Sequence, residues 1–402
     1  MVDITFSAMN YGSQTENVLL PLLKEYEQQS KNHVNLYLMD WTTGRQELNQ
    51  IVFRHQGPDV SEIGQTWLSD IISMNALRPF NAFDLARIGR KEAFFPASWI
   101  NCTVPDDPTV WAIPWLTDIF LIHYRKDLLQ KAGIDEAKAF ETFTEIDHTV
   151  ERLKQSGVEI PVSMPLNTDT YSNLHCIASW VWGFGGDFFS PDGKMILFDQ
   201  PQAVQGIAAY YKLLRHLSPT ALSRCHSQAG AELFNAGQAA ICFAPQGARP
   251  QGSEMEPETS ANWGMASFPR GSLIAGSNLV IWKHTRQERA AVELASFLTN
   301  TWFQSRFALP LGVLPCRVEA FSQPPFTEDP LLKKLTQIIT ISRCYQTIPL
   351  WGIVEDRLSQ AMAMIWEEFY ANPAVDLEVI TQKHIQATAT RLRSFLAQYH
   401  SP

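Results

Sequence analysis

"GPDVSEIGQTWLSDIISMNAL" runs from Gly57 to Leu77 and reads as a strand that turns and becomes a helix. GPDVSEIG supplies a short strand, and TWLSDIISMNAL supplies the helix. The same rhythm precedes it. ITFSAMN (Ile4–Asn10) alternates as a strand, and Ser13 with Glu16 has the S-x-x-E spacing of a capping box for the next helix. Pro21 lies inside that helical pattern, which predicts a kink or a late start. VNLYLMDW (Val34–Trp41) is a second strand closed by a Thr-Thr-Gly turn, after which Leu48, Ile51 and Val52 form one apolar helical face. Strands alternating with helices imply a parallel sheet with both faces covered. Such sheets bind ligands at the carboxyl ends of their strands. Here those ends are Asn10-Tyr11, Trp41-Thr42 and Gly64-Gln65-Thr66-Trp67.

The rhythm restarts around Trp111–Trp115, with IFLIHY as a strand and DLLQKAG as a short helix closed by Gly133. Thr142 and Glu145 form another capping box, and Ile146, Val150 and Leu153 follow on one face. Next come VSMPL, a helix through LHCIASWVWGFGG, a hairpin at SPDGK, a helix through AVQGIAAYYKLLRHL and the strand QAAICFAP. SNLVIW and the helix RQERAAVELASFLTN read as a return to the first sheet, and the chain from Asp329 onward is mostly helical.

Composition narrows the function. With 402 residues, 45% of them hydrophobic and 18% charged, the chain is globular and long enough for two domains. A net charge of -9 argues against a nucleic-acid partner, whose phosphates need a basic face. No apolar run approaches the ~20 residues that span a bilayer. The six cysteines are scattered without zinc spacing, and the ten histidines show none either, so no metal or cofactor is expected. The start MVDITFSAMN enters a strand at once, without a basic segment, apolar stretch or cleavage site; taken alone this suggests a cytoplasmic chain.

Catalytic signatures are missing: there is no G-x-S-x-G, H-E-x-x-H, Walker loop or strand-following G-x-G-x-x-G. Gly183-Phe184-Gly185-Gly186 follows a helix and reads as its cap, Tyr210-Tyr211 as core, and Asp192-Gly193 as a turn. Trp67, Trp115 and Trp351 each have two readings, as buried core or as stacking platforms for a sugar ring. Asp118, in AIPWLTDIFLIHY, has three. It can accept hydroxyl hydrogen bonds from a neutral ligand, cap a turn, or act as a catalytic acid. The last reading needs a facing carboxylate, because glycoside hydrolysis works with a pair.

In order along the chain, GPDVSEIGQTWLSDIISMNALRPF, WAIPWLTDIFLIHYRKDLLQKAG, GFGGDFFSPDGK, FNAGQAAICFAPQG and AGSNLVIWK…AAVELASFLTN resemble the extracellular solute-binding proteins of carbohydrate ABC importers, the family-1, maltose-binding-like group. The resemblance covers nearly the whole chain. It implies an α/β, two-lobed, type II periplasmic-binding-protein-like fold with three hinge crossings and a sugar held in the cleft between lobes. One lobe would comprise residues 1–112 plus 270–314, the other 113–269 plus 315–402. By matched position it implies ligand contacts from Asn10, Tyr11, Trp41, Arg45, Gln65, Thr66, Trp67, Trp115, Asp118, Asn173, His175, Gly276, Ser277, Asn278 and Trp351. Catalysis, cofactor and metal are not implied. The implied partners are a small carbohydrate and membrane permease subunits, with the receptor a monomer. The implied location is periplasmic, or extracellular as a membrane-anchored lipoprotein whose leader lies outside this sequence. There are two departures. The family is normally exported, yet no leader is visible in this sequence. Many relatives carry Gly-Pro-Trp after ICFA, where this chain has Pro245-Gln246-Gly247-Ala248, so one stacking ring of the family is missing. The rival readings are a receptor of the same fold for a charged ligand such as a phosphosugar or polyamine, and a glycoside-active enzyme using Asp118.

Overall fold

A computed structural model describes residues 2–105, 107–166, 171–245 and 255–399. The chain forms two compact units, Met1–Ile119 with Ile274–Gly352, and Phe120–Leu273 with Ile353–Pro402. It therefore passes from one unit to the other after Ile119, Leu273 and Gly352.

The first unit is built on β1 (Asp3–Met9), β2 (His33–Met39) and β3 (Val60–Gly64), linked by α1 (Thr15–Ser30) and α2 (Gly44–Arg54). β1 pairs in parallel with both β2 and β3, as the strand–helix alternation predicts. The short β4 (Leu77–Arg78) and the crossing strand β5 (Ile113–Arg125) follow. The sheet is not wholly parallel. β8 (Ile274–Trp282) returns from the far end of the chain and pairs antiparallel with β3 and with β5. β3 is thus covered on both edges and all five of its residues are buried. A chain of buried hydroxyls crosses it: Trp282 Nε1 donates to Ser61 Oγ at 2.7 Å, and Ser7 Oγ to Ser61 Oγ at 2.6 Å. Each polar group taken out of water there finds a partner, which removes a desolvation cost of about 1–3 kcal/mol per group.

α1 begins two residues beyond Ser13, so the expected capping box does not form. Gln14 is the N-cap without a side-chain bond, and Thr15 Oγ1 instead accepts from the Tyr11 N–H at 2.7 Å. The helix runs on through Pro21.

Residues 315–352, assigned to the second lobe by the sequence reading, belong to the first unit. The reason is pairing: β9 (Leu314–Pro315) pairs with Leu116 and Thr117 of β5, Arg343 C=O accepts from Ile274 N–H at 2.6 Å, and Thr347 Oγ1 donates to Asn101 Oδ1 at 3.2 Å. The same logic keeps Ile113–Ile119 in the first unit, because that half of β5 pairs with β8.

In the second unit, Phe120–Arg125 of β5 pairs antiparallel with β6 (Ile241–Pro245) and β7 (Trp263–Ala266). Helices Ser172–Gly183 and Pro201–Lys212, with the two long C-terminal helices Trp351–Ala371 and Leu377–Tyr399, supply its helical part. Tyr210 and Tyr211 are fully buried and donate to Pro165 O at 2.9 Å and Met362 O at 2.8 Å. They are core. Asp192 caps its own turn, accepting from Ser190 Oγ at 2.5 Å beside Gly193 at φ 71°.

Candidate functional site

Parallel strands joined by crossover helices end on one edge of a sheet, and β1, β2 and β3 deliver their next residues there. Tyr11 follows β1, Trp41 follows β2, and the turn Gln65–Trp67 follows β3. The three rings form a row. Tyr11 meets Trp41 edge-on at 5.8 Å, and Trp41 leans on Trp67 at 5.5 Å. Trp67 is 5% exposed and lies against Gly64, whereas Tyr11 and Trp41 are only partly buried. The partly exposed rings of the row are Tyr11 and Trp41, and the buried Trp67 packs against Trp41. Gln65 is buried, with its Oε1 accepting from Asn101 Nδ2 at 3.3 Å. Its Nε2 has no hydrogen-bond partner among the described residues, which is costly for a buried donor unless a ligand meets it. Asn10 is exposed and uses Oδ1 to accept from Gly12 N–H at 2.9 Å, and Thr66 is partly buried.

Asp118 sits on β5, partly buried, with Oδ1 accepting from the Ile119 N–H at 2.9 Å. Its negative charge reaches Tyr11 and helps to hold that phenol's pKa up, behind burial and Glu62. Beside it, Gly276 pairs with Thr117 at φ 145°, and a Cβ there would lie 2.1 Å from Leu116 O. Gly276 contributes a close strand approach that no side chain permits.

Packing takes up several of the expected contacts. Trp115 is fully buried, stacked on Phe307 at 5.1 Å and donating from Nε1 to Leu298 O at 3.1 Å. It is a core ring. Trp351 is 2% exposed and packs on Tyr345 at 4.7 Å. Asn278 is fully buried, with Nδ2 donating to Asn101 O at 3.4 Å and Oδ1 accepting from Cys102 Sγ at 3.8 Å. Asn173, in the second unit, is fully buried, and its Oδ1 accepts from Ser359 Oγ at 2.9 Å. Arg45 is engaged as well: Nη2 pairs with Asp70 Oδ2 at 2.8 Å, and Nη1 donates to Gly352 O at 3.4 Å.

The sequence reading missed Glu62. This residue of β3 is fully buried, and its Oε2 accepts from the Met9 N–H at 2.6 Å while Oε1 accepts from the Tyr11 hydroxyl. The Ser277 hydroxyl turns toward the same carboxylate without a well-formed hydrogen bond. Burial pushes the Glu62 carboxyl up to about 7, against the opposing pull of those donors. A carboxylate inside a short buried strand was the available signal, and the alternation of GPDVSEIG gave no reason to weigh it.

In the second unit, His175 stands edge-on to Phe120 at 5.4 Å, and its Nε2 lies 3.4 Å from Oε1 of the fully buried Glu355. Tyr171, at φ 55°, donates its hydroxyl to Asp356. Glu355 and Asp356 lie in the second turn of helix Trp351–Ala371. Tyr171, Glu355 and Asp356 were also missed, because nothing in the sequence links Tyr171 to residues more than 180 positions away. Among the described residues no group of His, Cys, Asp or Glu could hold a metal ion.

A family model described as "Bacterial extracellular solute-binding protein" matches residues 11–301. The chain belongs to that family. Its members are binding proteins, and membership places the chain on the periplasmic or extracellular side. No helix among the described residues is long and apolar enough to cross a membrane. The maltose-bound MalE3 of T. maritima superimposes with a TM-score of 0.82 at 23% identity, covering 98% of this chain and all of that one. The fold is therefore the type II solute-binding fold that the sequence predicts. The diacetylchitobiose binding protein DasA of Streptomyces coelicolor is 23% identical over 76% of this chain and 71% of its own. The sn-glycerol-3-phosphate-binding periplasmic protein UgpB of Agrobacterium fabrum is 22% identical over 57% of this chain and 56% of its own. Gln246–Ala248, where the sequence departs from the solute-binding family's Gly-Pro-Trp, lie outside the described residues.

Proposed function

We propose that this chain is the substrate-binding component of a carbohydrate ABC importer, taking a mono- or oligosaccharide or a related polyol or glycoside without catalysis. The observation that carries this is the partly exposed Tyr11–Trp41 ring pair, with buried Gln65 Nε2 at the strand ends and the Asp118 carboxylate on β5, whose charge reaches Tyr11. Sugar rings present apolar C–H faces and a hydroxyl rim, which suits aromatic faces flanked by a few fixed polar groups. The relatives that bind maltose and diacetylchitobiose support the carbohydrate class. The permease subunits of the importer are then its membrane partners, and a monomeric, lipid-anchored receptor fits that role.

A phosphate-bearing ligand, as the glycerol-phosphate relative's name suggests, fits less well. Arg45, the cation closest in sequence to the rings, is committed to Asp70 and Gly352, and Asp118 would repel an anion. The glycosidase reading also weakens. The second carboxylate near Tyr11 is Glu62, which is fully buried with both oxygens on protein donors, unlike a pair flanking a scissile bond.

A thermal-shift screen of mono- to tetrasaccharides and polyols, with glycerol 3-phosphate and spermidine as further arms, tests the assignment. A ligand at 100 times its Kd adds about 2.7 kcal/mol of stability, a readily measured shift. Stabilisation by a neutral carbohydrate is expected, and stabilisation by the phosphate or the polyamine alone overturns the reading.

A further inference from the structure

Glu62 and Tyr11 form a unit that simple ligand contact does not explain. The carboxylate is sealed between strands, and no ion pair holds it among the described residues. Three hydrogen-bond donors face it among the described residues: the Met9 N–H from β1, the Tyr11 hydroxyl from the turn after β1, and the Ser277 hydroxyl from β8. β8 otherwise places Leu279 opposite it. Among the described residues, Asp118 of β5 adds a further charge, which acts on Tyr11. A proton arriving at this carboxyl therefore has an obvious place to go, the oxygen that now accepts from Tyr11.

We propose that Glu62 is a positioning residue that sets whether the Tyr11 hydroxyl donates or accepts, giving the ligand-facing aromatic row two proton-controlled states. With Glu62 ionised, the phenol hydrogen is pinned inward on Oε1 and the phenol oxygen can only accept from outside. With Glu62 protonated, its new O–H donates to the phenol oxygen, and the phenol hydrogen turns outward, toward Asp118 or a ligand acceptor. One proton is taken up and no covalent bond to carbon changes. Burial brings this exchange to about neutral pH, since Glu62 titrates near 7. The ligand-facing role of Tyr11 rests on the function proposed above; the two states of the pair do not.

The test uses the ligand-free protein. The pair abuts Trp41, so reorienting the Tyr11 hydroxyl changes the surroundings of that indole. Intrinsic tryptophan fluorescence is followed from pH 5 to 9, together with the carbon-13 shift of the glutamate carboxyl carbons. The expected result is a one-proton transition near neutrality in both signals for the wild type, with both lost in Glu62→Gln. Tyr11→Phe keeps the ring and removes the hydroxyl, so its carboxyl carbon still titrates while the fluorescence step disappears; this variant serves if Glu62→Gln does not fold. A wild type without a neutral transition, or a fluorescence step of full size in Tyr11→Phe, overturns the proposal. A saccharide screen without a hit refutes the receptor assignment and leaves this titration standing.

Discussion

Glu62 also makes folding stability depend on pH in an unusual direction. A glutamate that ordinarily titrates at 4.5 titrates near 7 in the folded chain. Between those values the native state holds a proton that the unfolded chain has lost, so stability falls as pH rises. The contribution is fully present below pH 4.5 and is lost as pH climbs through 7. At about 1.4 kcal/mol per pH unit, the difference amounts to about 3 kcal/mol. Depressed carboxylates such as Asp127, held down mainly by its hydrogen bonds from Arg125, work in the opposite sense but lose their contribution only below about pH 5, so the titration starts there. The measurement is a difference: urea unfolding of wild type and Glu62→Gln at half-unit steps from pH 5 to 8.5. Other titrating groups cancel, and the wild type should lose about 3 kcal/mol relative to the variant across that range. Stability curves that stay parallel would show that Glu62 remains ionised in the fold, and the reasoning about its burial would be wrong.

Trp41→Ala should weaken carbohydrate binding by about 1–3 kcal/mol in calorimetry and leave folding intact, whereas Trp115→Ala should cost about 3–5 kcal/mol of folding stability, the range for a large core ring. Equal effects of the two on the melting temperature would place Trp41 in the core. Asp118→Asn should reduce affinity by about 1.5–3 kcal/mol, the range for hydrogen bonds to a charged group, and wild-type protein incubated with a bound oligosaccharide should return it uncut by chromatography. Shortened products that vanish in the variant would restore the catalytic reading of Asp118. Gly276→Ala should destabilise the fold by on the order of 3 kcal/mol or more, since it combines a clash on the Leu116 carbonyl with a backbone angle that alanine resists. Unchanged thermal stability would mean that β5 and β8 can move apart freely.

The parallel start of the first sheet was legible because β1, β2 and β3 are local units, each strand followed by its own helix. The strand-end rule picked out Tyr11, Trp41 and Trp67, whose rings the structure brings into contact. Tertiary pairing escaped it. Nothing local in SNLVIW says that β8 runs antiparallel beside β3, or that residues 315–352 join the first unit through β9 and Asn101. The misplaced tryptophans share a cause: the exposure of an aromatic ring depends on what lands on it. Phe303 and Phe307 flank Trp115 from nearly 190 positions away, and Tyr345 covers Trp351 from six residues upstream. Glu62 was passed over because alternation describes which face a residue takes, and in a strand covered on both faces every residue is inside.

The bond between Ser61 and Trp282 closes a loop of 221 positions, and that span bears on how the molecule is made. Until β8 leaves the ribosome or the translocation pore, β3 has a bare edge of unpaired N–H and C=O groups, the kind of edge that invites pairing with other chains. The second unit waits too, for the helices after Ile353. Neither half can reach its final form from a growing N-terminal piece, so a nascent chain is held open until almost its last segment arrives. Such a delay makes any fragment ending before Ile274 prone to aggregate.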